Sequence, residues 1–173
     1  QSAQNETAFH TWDYNANGVI EFSEFGEQDW SDGGRLTNLM VDIPFILTDD
    51  IGQLTELRVL ILKTNGLTEI PETIGNLQKL EILNIISNAI ISLPDSIFGL
   101  TNLEELNISN NQISELPENI GNLTSLTNLD ASQNDLITLP VSISTLSNLT
   151  HLFLANNQID SLPSTFGDLP NLS

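Results

Sequence analysis

The fold is decided by residues 103–125, which read LEELNISNNQISELPENIGNLTS. At the start of this segment Leu106 and Ile108 alternate with polar residues, and a period of two is typical of a short β-strand with one buried face. Asn111 follows the strand, and Pro117 stands further on within a second apolar stretch. The segment therefore predicts a strand, a turn at the asparagine and a return path that begins at the proline.

The same pattern recurs along the chain with a period of 23 residues. Five copies of LxxLxLxxNx(I/L)xx(I/L)PxxIxxLxx run from Leu57 to Asn171, and a shorter copy of 21 residues precedes them. Two columns are identical in every full copy, namely Asn65, Asn88, Asn111, Asn134 and Asn157, and Pro71, Pro94, Pro117, Pro140 and Pro163. One unit of this length cannot bury its apolar residues alone, so the units must stack into a solenoid.

The asparagine and the proline each have a physical role in such a stack. Where the chain turns inside a solenoid, backbone N–H and C=O groups are left in the interior and need partners. An asparagine side chain carries both a donor and an acceptor and can satisfy them. Proline lacks the N–H group and suits the point where the return segment leaves strand geometry.

By these residues the chain resembles the leucine-rich-repeat family, in its 23-residue LPxxIxxL subtype, over about residues 35–173. The resemblance implies an α/β solenoid, a right-handed superhelix with a parallel β-sheet on its concave face. It also implies a binding module, because family members bind ligands, usually proteins, mainly on that face.

Two features depart from the family pattern. Ala131 is small in a column of large aliphatic residues, which predicts a thinner core at that repeat. No capping unit is visible at the C-terminal end, although a terminal repeat without one exposes apolar surface. We therefore expect the natural protein to continue beyond Ser173, or this end to be covered in an assembly.

A second motif precedes the repeats. Residues 13–24 read DYNANGVIEFSE and match the calcium-binding EF-hand loop D-x-[DN]-x-[DN]-G-x5-E at every specified position. The alternative is an Asx-rich turn that binds no metal. The resemblance to an EF-hand implies one Ca²⁺ ion held by Asp13, Asn15, Asn17, the Val19 carbonyl, Glu21 and Glu24.

The composition of this loop predicts weak calcium binding. Only Asp13, Glu21 and Glu24 carry charge, and the chain contains no second EF-hand pattern. We expect a dissociation constant of about 0.1–1 mM, which suits an extracellular setting. No long linker follows, so residues 1–34 are expected to form a helix-loop-helix cap on repeats 35–173. The expected contacts of the cap are Phe22, Phe25 and Trp30.

Charge and missing motifs exclude several classes of function. The chain has 23 acidic and 4 basic residues, and its net charge of −19 repels nucleic acid and anionic membrane surfaces. No apolar run approaches the roughly 20 residues that span a membrane. Cysteine is absent, and the histidines His10 and His151 lie far apart in the sequence. No catalytic motif is present, so we expect no enzyme activity.

The outward positions of the predicted strands offer candidate contacts for a protein partner. Exposed aliphatic residues in a group suggest a contact surface, although single surface aliphatics are ordinary. This surface suits a foreign protein or a second copy of the chain. The group comprises Met40, Val59, Ile61, Ile82 and Ile86, and a second candidate contact is formed by His151 and Phe153.

Three functions remain open at this point. The first is a calcium-stabilised recognition or adhesion module of a secreted or cell-surface protein, bacterial in origin. The second is a cytoplasmic adaptor that calcium regulates. The third is a self-associating structural fragment of a larger surface protein.

Overall fold

A computed structural model describes residues 37–41 and 46–173. The predicted EF-hand cap, residues 1–34, lies outside these ranges. The described residues form one six-stranded sheet in which each strand lies beside its neighbour in sequence. The strands are β1 (Asn38–Val41), β2 (Val59–Leu62), β3 (Ile82–Asn84), β4 (Glu105–Asn107), β5 (Asn128–Asp130) and β6 (His151–Phe153).

All five strand pairs are parallel, so the predicted parallel sheet is confirmed. Leu60 pairs with Leu83 and Leu83 pairs with Leu106, one repeat length apart. Leu39 pairs with Leu60, so the shorter first copy is in phase with the full repeats. Because the register never slips, equivalent residues of successive repeats form columns across the sheet.

The return segments carry short 3-10 helices instead of α-helices in the described part of the chain. In four repeats a proline directly precedes the helix, and its carbonyl accepts the first helical hydrogen bond, as in Ile74 N to Pro71 O at 3.0 Å. Such short segments suit the 3-10 form, which is used mainly in short pieces. The helices are Asp49–Gln53, Glu72–Asn76, Asp95–Gly99, Glu118–Asn122, Val141–Thr145 and Phe166–Asp168.

The core lies between the sheet and these helices. Its columns of leucine and isoleucine are buried in the interior repeats except at Leu93, which is partly buried, and Ala131 is fully buried. Phe98 is 1% exposed and is a core residue that the repeat pattern does not indicate. It occupies the position of Gly75 and Gly121 in the neighbouring repeats. At Gly75 a Cβ atom would lie 2.6 Å from Ser96 Cβ, so neighbouring helices stack closely there.

The predicted asparagine ladder is present. Asn111 Nδ2 donates to the carbonyl of Ile108 in its own repeat and to that of Ile85 in the preceding one, both at 3.0 Å. Its Oδ1 accepts from Ile90 N at 3.1 Å, also in the preceding repeat. Asn88, Asn134 and Asn157 make equivalent bonds. Each asparagine therefore connects two successive turns of the solenoid.

The last repeat exposes apolar side chains that are buried elsewhere. Leu162 is 51% exposed, whereas Leu139 at the equivalent position is 4% exposed. Leu152 and Leu154 are only half-buried. Ser173 N donates to Thr150 O at 3.0 Å, which continues the hydrogen-bond pattern between repeats as far as the final residue.

Candidate ligand-binding face

The outward side chains of the six strands form two columns on the face of the sheet opposite the core, which the family resemblance implies to be the concave face. The buried residues alternate with these positions, so every second strand residue points away from the core. The register defines the first column as Asn38, Val59, Ile82, Glu105, Asn128 and His151. The second column consists of Met40, Ile61, Asn84, Asn107, Asp130 and Phe153.

Four of the five predicted aliphatic contacts lie next to one another on this face. Met40 is paired with Ile61, and Val59 is paired with Ile82. All four side chains are partly exposed. Ile86 is also partly exposed but lies beyond the end of β3. Met40, Val59, Ile61 and Ile82 are called the aliphatic patch below; their role in partner binding stays a prediction.

Carboxylates follow the aliphatic patch in the middle of the sheet. Glu104 and Glu105 are exposed, and Glu105 is paired with Ile82 of the patch. Asp130 lies on the next strand and is partly exposed. Glu104, Glu105 and Asp130 are called the acidic band. The concave face thus changes from apolar to negatively charged over neighbouring strands.

Some polar side chains on this face accept hydrogen bonds from the backbone at the strand ends. Asp130 Oδ1 accepts from Ser132 N at 3.0 Å and from Ser132 Oγ at 2.6 Å. Asn107 makes the same two bonds to Ser109, and Asn84 Oδ1 accepts from Ile86 N. Sequence reasoning missed this role. An available signal was the Asn or Asp at a fixed position in three successive repeats, because these residues favour local turns.

A second backbone feature follows these turns. The residue directly before each ladder asparagine has a positive φ between 53° and 60°. Left-handed backbone at a β-branched residue such as Thr64 is strained. The repeat geometry therefore imposes this conformation irrespective of the side chain, at Thr64, Ser87, Asn110, Gln133 and Asn156.

The other predicted contact, His151 and Phe153, lies on β6 at the far end of the sheet. The two rings are stacked, with centroids 6.2 Å apart and planes inclined by 22°. Phe153 is 52% exposed, and His151 Nδ1 lies 2.9 Å from Thr150 Oγ1. The geometry brings the two side chains together into one aromatic surface, called the aromatic pair; its role in binding stays a prediction.

The described cations lie near the N-terminal end of the repeats. Arg58 forms an ion pair with Glu81, and Lys79 Nζ lies 2.5 Å from Glu56 Oε2. Each pair joins neighbouring repeats. No lysine or arginine follows Lys79 in the sequence, whereas ten acidic residues do. The C-terminal repeats are therefore strongly negative.

One carboxylate away from the sheet has a defined structural task. Glu118 Oε2 accepts from Ser142 N at 3.0 Å, and its Oε1 accepts from Val141 N at 3.1 Å. These are the first backbone N–H groups of the 3-10 helix in the next repeat. The bond from Ser142 and then that from Val141 hold the pKa of the Glu118 carboxyl below its ordinary value. Glu118 thus caps the neighbouring repeat while it is ionised.

The described residues 37–41 and 46–173 contain no cluster of three or more His, Cys, Asp or Glu side chains suited to a metal ion. The predicted calcium ligands, Asp13 to Glu24, lie outside these residues, and the metal site stays a prediction. Within the same ranges, no helix has the length and apolar character that crossing a membrane requires.

Comparisons with known proteins agree with this architecture. No curated protein matches the chain. A leucine-rich-repeat protein of Leptospira interrogans is 32% identical over 80% of the chain, with a TM-score of 0.65. An internalin of Listeria monocytogenes is 27% identical over 79%, with a TM-score of 0.65. A plant peptide hormone receptor in complex with RGF2 is 30% identical over 79%, with a TM-score of 0.64.

The chain spans 39%, 39% and 23% of the lengths of these three proteins. The family described as leucine-rich repeat region matches residues 45–129 and 105–173, which together cover the solenoid from the middle of its first, shorter repeat. The chain belongs to the leucine-rich-repeat family.

Proposed function

We propose that this chain is a recognition module that binds a protein or peptide on the concave face of its sheet, and that it is not an enzyme. The observation that carries the proposal is the aliphatic patch. Its four side chains are contiguous across β1–β3 and stay partly exposed, although a solvated sheet face would favour polar residues there.

Two further observations support the proposal. The aromatic pair presents a second apolar surface on the same face, at β6. Among the similar structures, the plant receptor is a peptide hormone receptor in complex with RGF2. A protein with a similar solenoid therefore serves as a peptide hormone receptor.

Selection from a displayed library of random ten-residue peptides tests the binding face. The affinity of each selected peptide is then measured for the parent and for a patch variant, Ile61→Asp with Ile82→Asp. The control is Ile91→Asp with Ile137→Asp, which changes two isoleucines that lie outside the sheet and are 62% and 55% exposed. Both variants must keep the circular dichroism spectrum of the parent.

We expect the patch variant to bind at least about tenfold more weakly, a loss of roughly 1.4 kcal/mol, because buried aliphatic contacts are replaced by desolvated charge. The control variant should bind like the parent. Equal affinity of the two variants, or the absence of any peptide that depends on the patch, contradicts binding on this face.

We also propose that one Ca²⁺ ion stabilises the N-terminal segment. The support is the loop sequence, with Asp13, Asn15, Asn17, the Val19 carbonyl, Glu21 and Glu24 as ligands. Such a weak site serves a structural purpose where calcium is abundant, which favours a secreted or cell-surface protein. Two similar structures come from bacteria, in keeping with a bacterial source.

Calcium titration tests this second proposal. The chain has two tryptophans, Trp12 and Trp30, and both lie close to the loop in sequence, so their fluorescence reports on this segment. Half-saturation at about 0.1–1 mM implies that 10 mM calcium stabilises the fold by roughly 1.4–2.7 kcal/mol. Glu24→Gln should abolish the gain. An unchanged melting temperature at 10 mM calcium contradicts the metal site.

The same measurements separate the other two functions. A cytoplasmic adaptor requires half-saturation at micromolar calcium and peptide binding that changes with calcium. A self-associating fragment requires a concentration-dependent mass in light scattering that Ile61→Asp with Ile82→Asp reduces, because the aliphatic patch is then the surface between copies.

A further inference from the structure

We propose that the ligand is a basic polypeptide segment that lies across the strands, with an aliphatic side chain on the aliphatic patch and a lysine or arginine on the acidic band. The inference rests on the proposed binding at the concave face and adds the chemistry and the spacing of the ligand. Charge complementarity and the order of the surfaces across the sheet support it.

Two carboxylates of the acidic band, those of Glu104 and Glu105, are available for a cationic ligand, whereas Asp130 Oδ1 accepts from Ser132. Within residues 37–41 and 46–173 the ion pairs engage Arg58 and Lys79, neither of which contacts the band. In the same ranges, the carboxylates of Glu104 and Glu105 take part in no hydrogen bond or ion pair. Other acidic side chains differ, since Glu81 is paired with Arg58 and Glu118 caps a helix.

The surroundings strengthen the negative potential at the band. The sequence contains no lysine or arginine after Lys79, so no cation of the following repeats offsets these charges. A concave face that carries charge of one sign concentrates counter-charged ligands and speeds their association. A lysine or arginine side chain therefore satisfies the band better than any neutral group.

The order of the surfaces sets the spacing of the ligand. The aliphatic patch is centred on β2, the acidic band on β4 and β5, and the aromatic pair on β6. Neighbouring strands lie about 4.8 Å apart, and an extended polypeptide advances about 3.3 Å per residue. The basic residue therefore lies about three residues from the aliphatic one, and the aromatic pair is reached about two residues beyond it.

The aromatic pair extends the same chemistry. Phe153 is paired with Asp130 of the band, so a guanidinium group can stack on the phenyl ring while it faces the carboxylate. Arginine is therefore favoured over lysine at the position nearest β6. A second copy of this chain is the poorer occupant, because two chains with a net charge of −19 repel each other.

The test reads the sequences of the selected ten-residue peptides described above and measures their affinity. We expect enrichment of lysine and arginine, with an aliphatic residue about three positions from the basic one. Glu104→Gln with Glu105→Gln should weaken binding roughly two- to thirtyfold, since the basic side chain loses two exposed ion pairs of about 0.2–1 kcal/mol each. The control, Glu69→Gln with Glu115→Gln, removes the same charge from exposed positions outside the sheet and should leave the affinity unchanged.

Salt adds a second measurement. Raising NaCl from 50 to 300 mM should weaken peptide binding by the parent and by the control variant more than binding by Glu104→Gln with Glu105→Gln. This inference is overturned if the selected peptides depend on the aliphatic patch, show no enrichment of basic residues and bind Glu104→Gln with Glu105→Gln as tightly as the parent. That result would leave the proposed binding face intact. A selection that yields no patch-dependent peptide overturns both.

Discussion

Replacement of one ladder asparagine should destabilise the whole solenoid. In Asn111→Ala, the side chain that is lost donates to three carbonyls, of Ile85, Ile108 and Ser109, at 3.0–3.2 Å. Its oxygen accepts from Ile90 N at 3.1 Å. The amide has two protons, so the side chain supplies two donor bonds and one acceptor bond to a buried site. At about 1 ± 0.5 kcal/mol for each bond, the loss is about 3 kcal/mol.

The measurement is urea unfolding followed by far-ultraviolet circular dichroism. Tryptophan fluorescence is unsuitable as the main probe, because Trp12 and Trp30 both precede the repeats. The control is Asn122→Ala, at an exposed position of a 3-10 helix, which should change stability by less than about 0.5 kcal/mol. The slope of the free energy against urea must be equal in both variants, because repeat proteins can lose cooperativity.

A loss below about 1 kcal/mol in Asn111→Ala, with an unchanged slope, would refute the reasoning. It would mean that water reaches the interior turn and satisfies the carbonyls of Ile85 and Ile108. A loss confined to one part of the unfolding curve would instead show that the ladder couples only neighbouring repeats.

Two further predictions concern the turns and the helix caps. Thr64→Asn should stabilise the protein by about 0.5–1 kcal/mol, because Thr64 has φ 54° and asparagine tolerates left-handed backbone better. The reverse change at the equivalent position, Asn110→Thr, should destabilise it by a similar amount in the same urea assay. The lowered pKa of Glu118 means that its contribution is present above the ordinary carboxyl pKa and is lost as the pH falls through the lowered value. Glu118→Gln should therefore lower the melting temperature at pH 7 and reduce the further loss on acidification, whereas Glu115→Gln should do neither.

The sequence predicted the parts of this protein that a repeated local pattern encodes. A period of 23 residues defines the phase, so it correctly predicted the buried columns and the asparagine ladder, and the family resemblance implied the parallel sheet. It also indicated which residues share the concave face, including Val59 beside Ile82 and His151 near Phe153. Strand alternation and in-phase stacking suffice for these statements, because both are properties of spacing alone.

Features that depend on contacts between repeats were not predictable in this way. Phe98 replaces a glycine of the pattern and is nevertheless buried, which only the packing between neighbouring helices decides. Glu118 caps a helix 23 residues further along the chain, and nothing in its local sequence indicates that acceptor role. The acidic band, by contrast, follows from the repeat spacing, since Glu105 and Asp130 occupy outward positions of neighbouring strands.

By itself, then, the sequence determined the repeat, its phase and the net charge of the chain. Tertiary structure alone decided which polar groups are hydrogen-bonded within the fold and which remain available. Asp130 accepts two hydrogen bonds from Ser132, whereas Glu105 is exposed. The physical reason is that the residue type sets which hydrogen-bond donors and acceptors a side chain has. The backbone around it sets whether these groups already have partners within the fold.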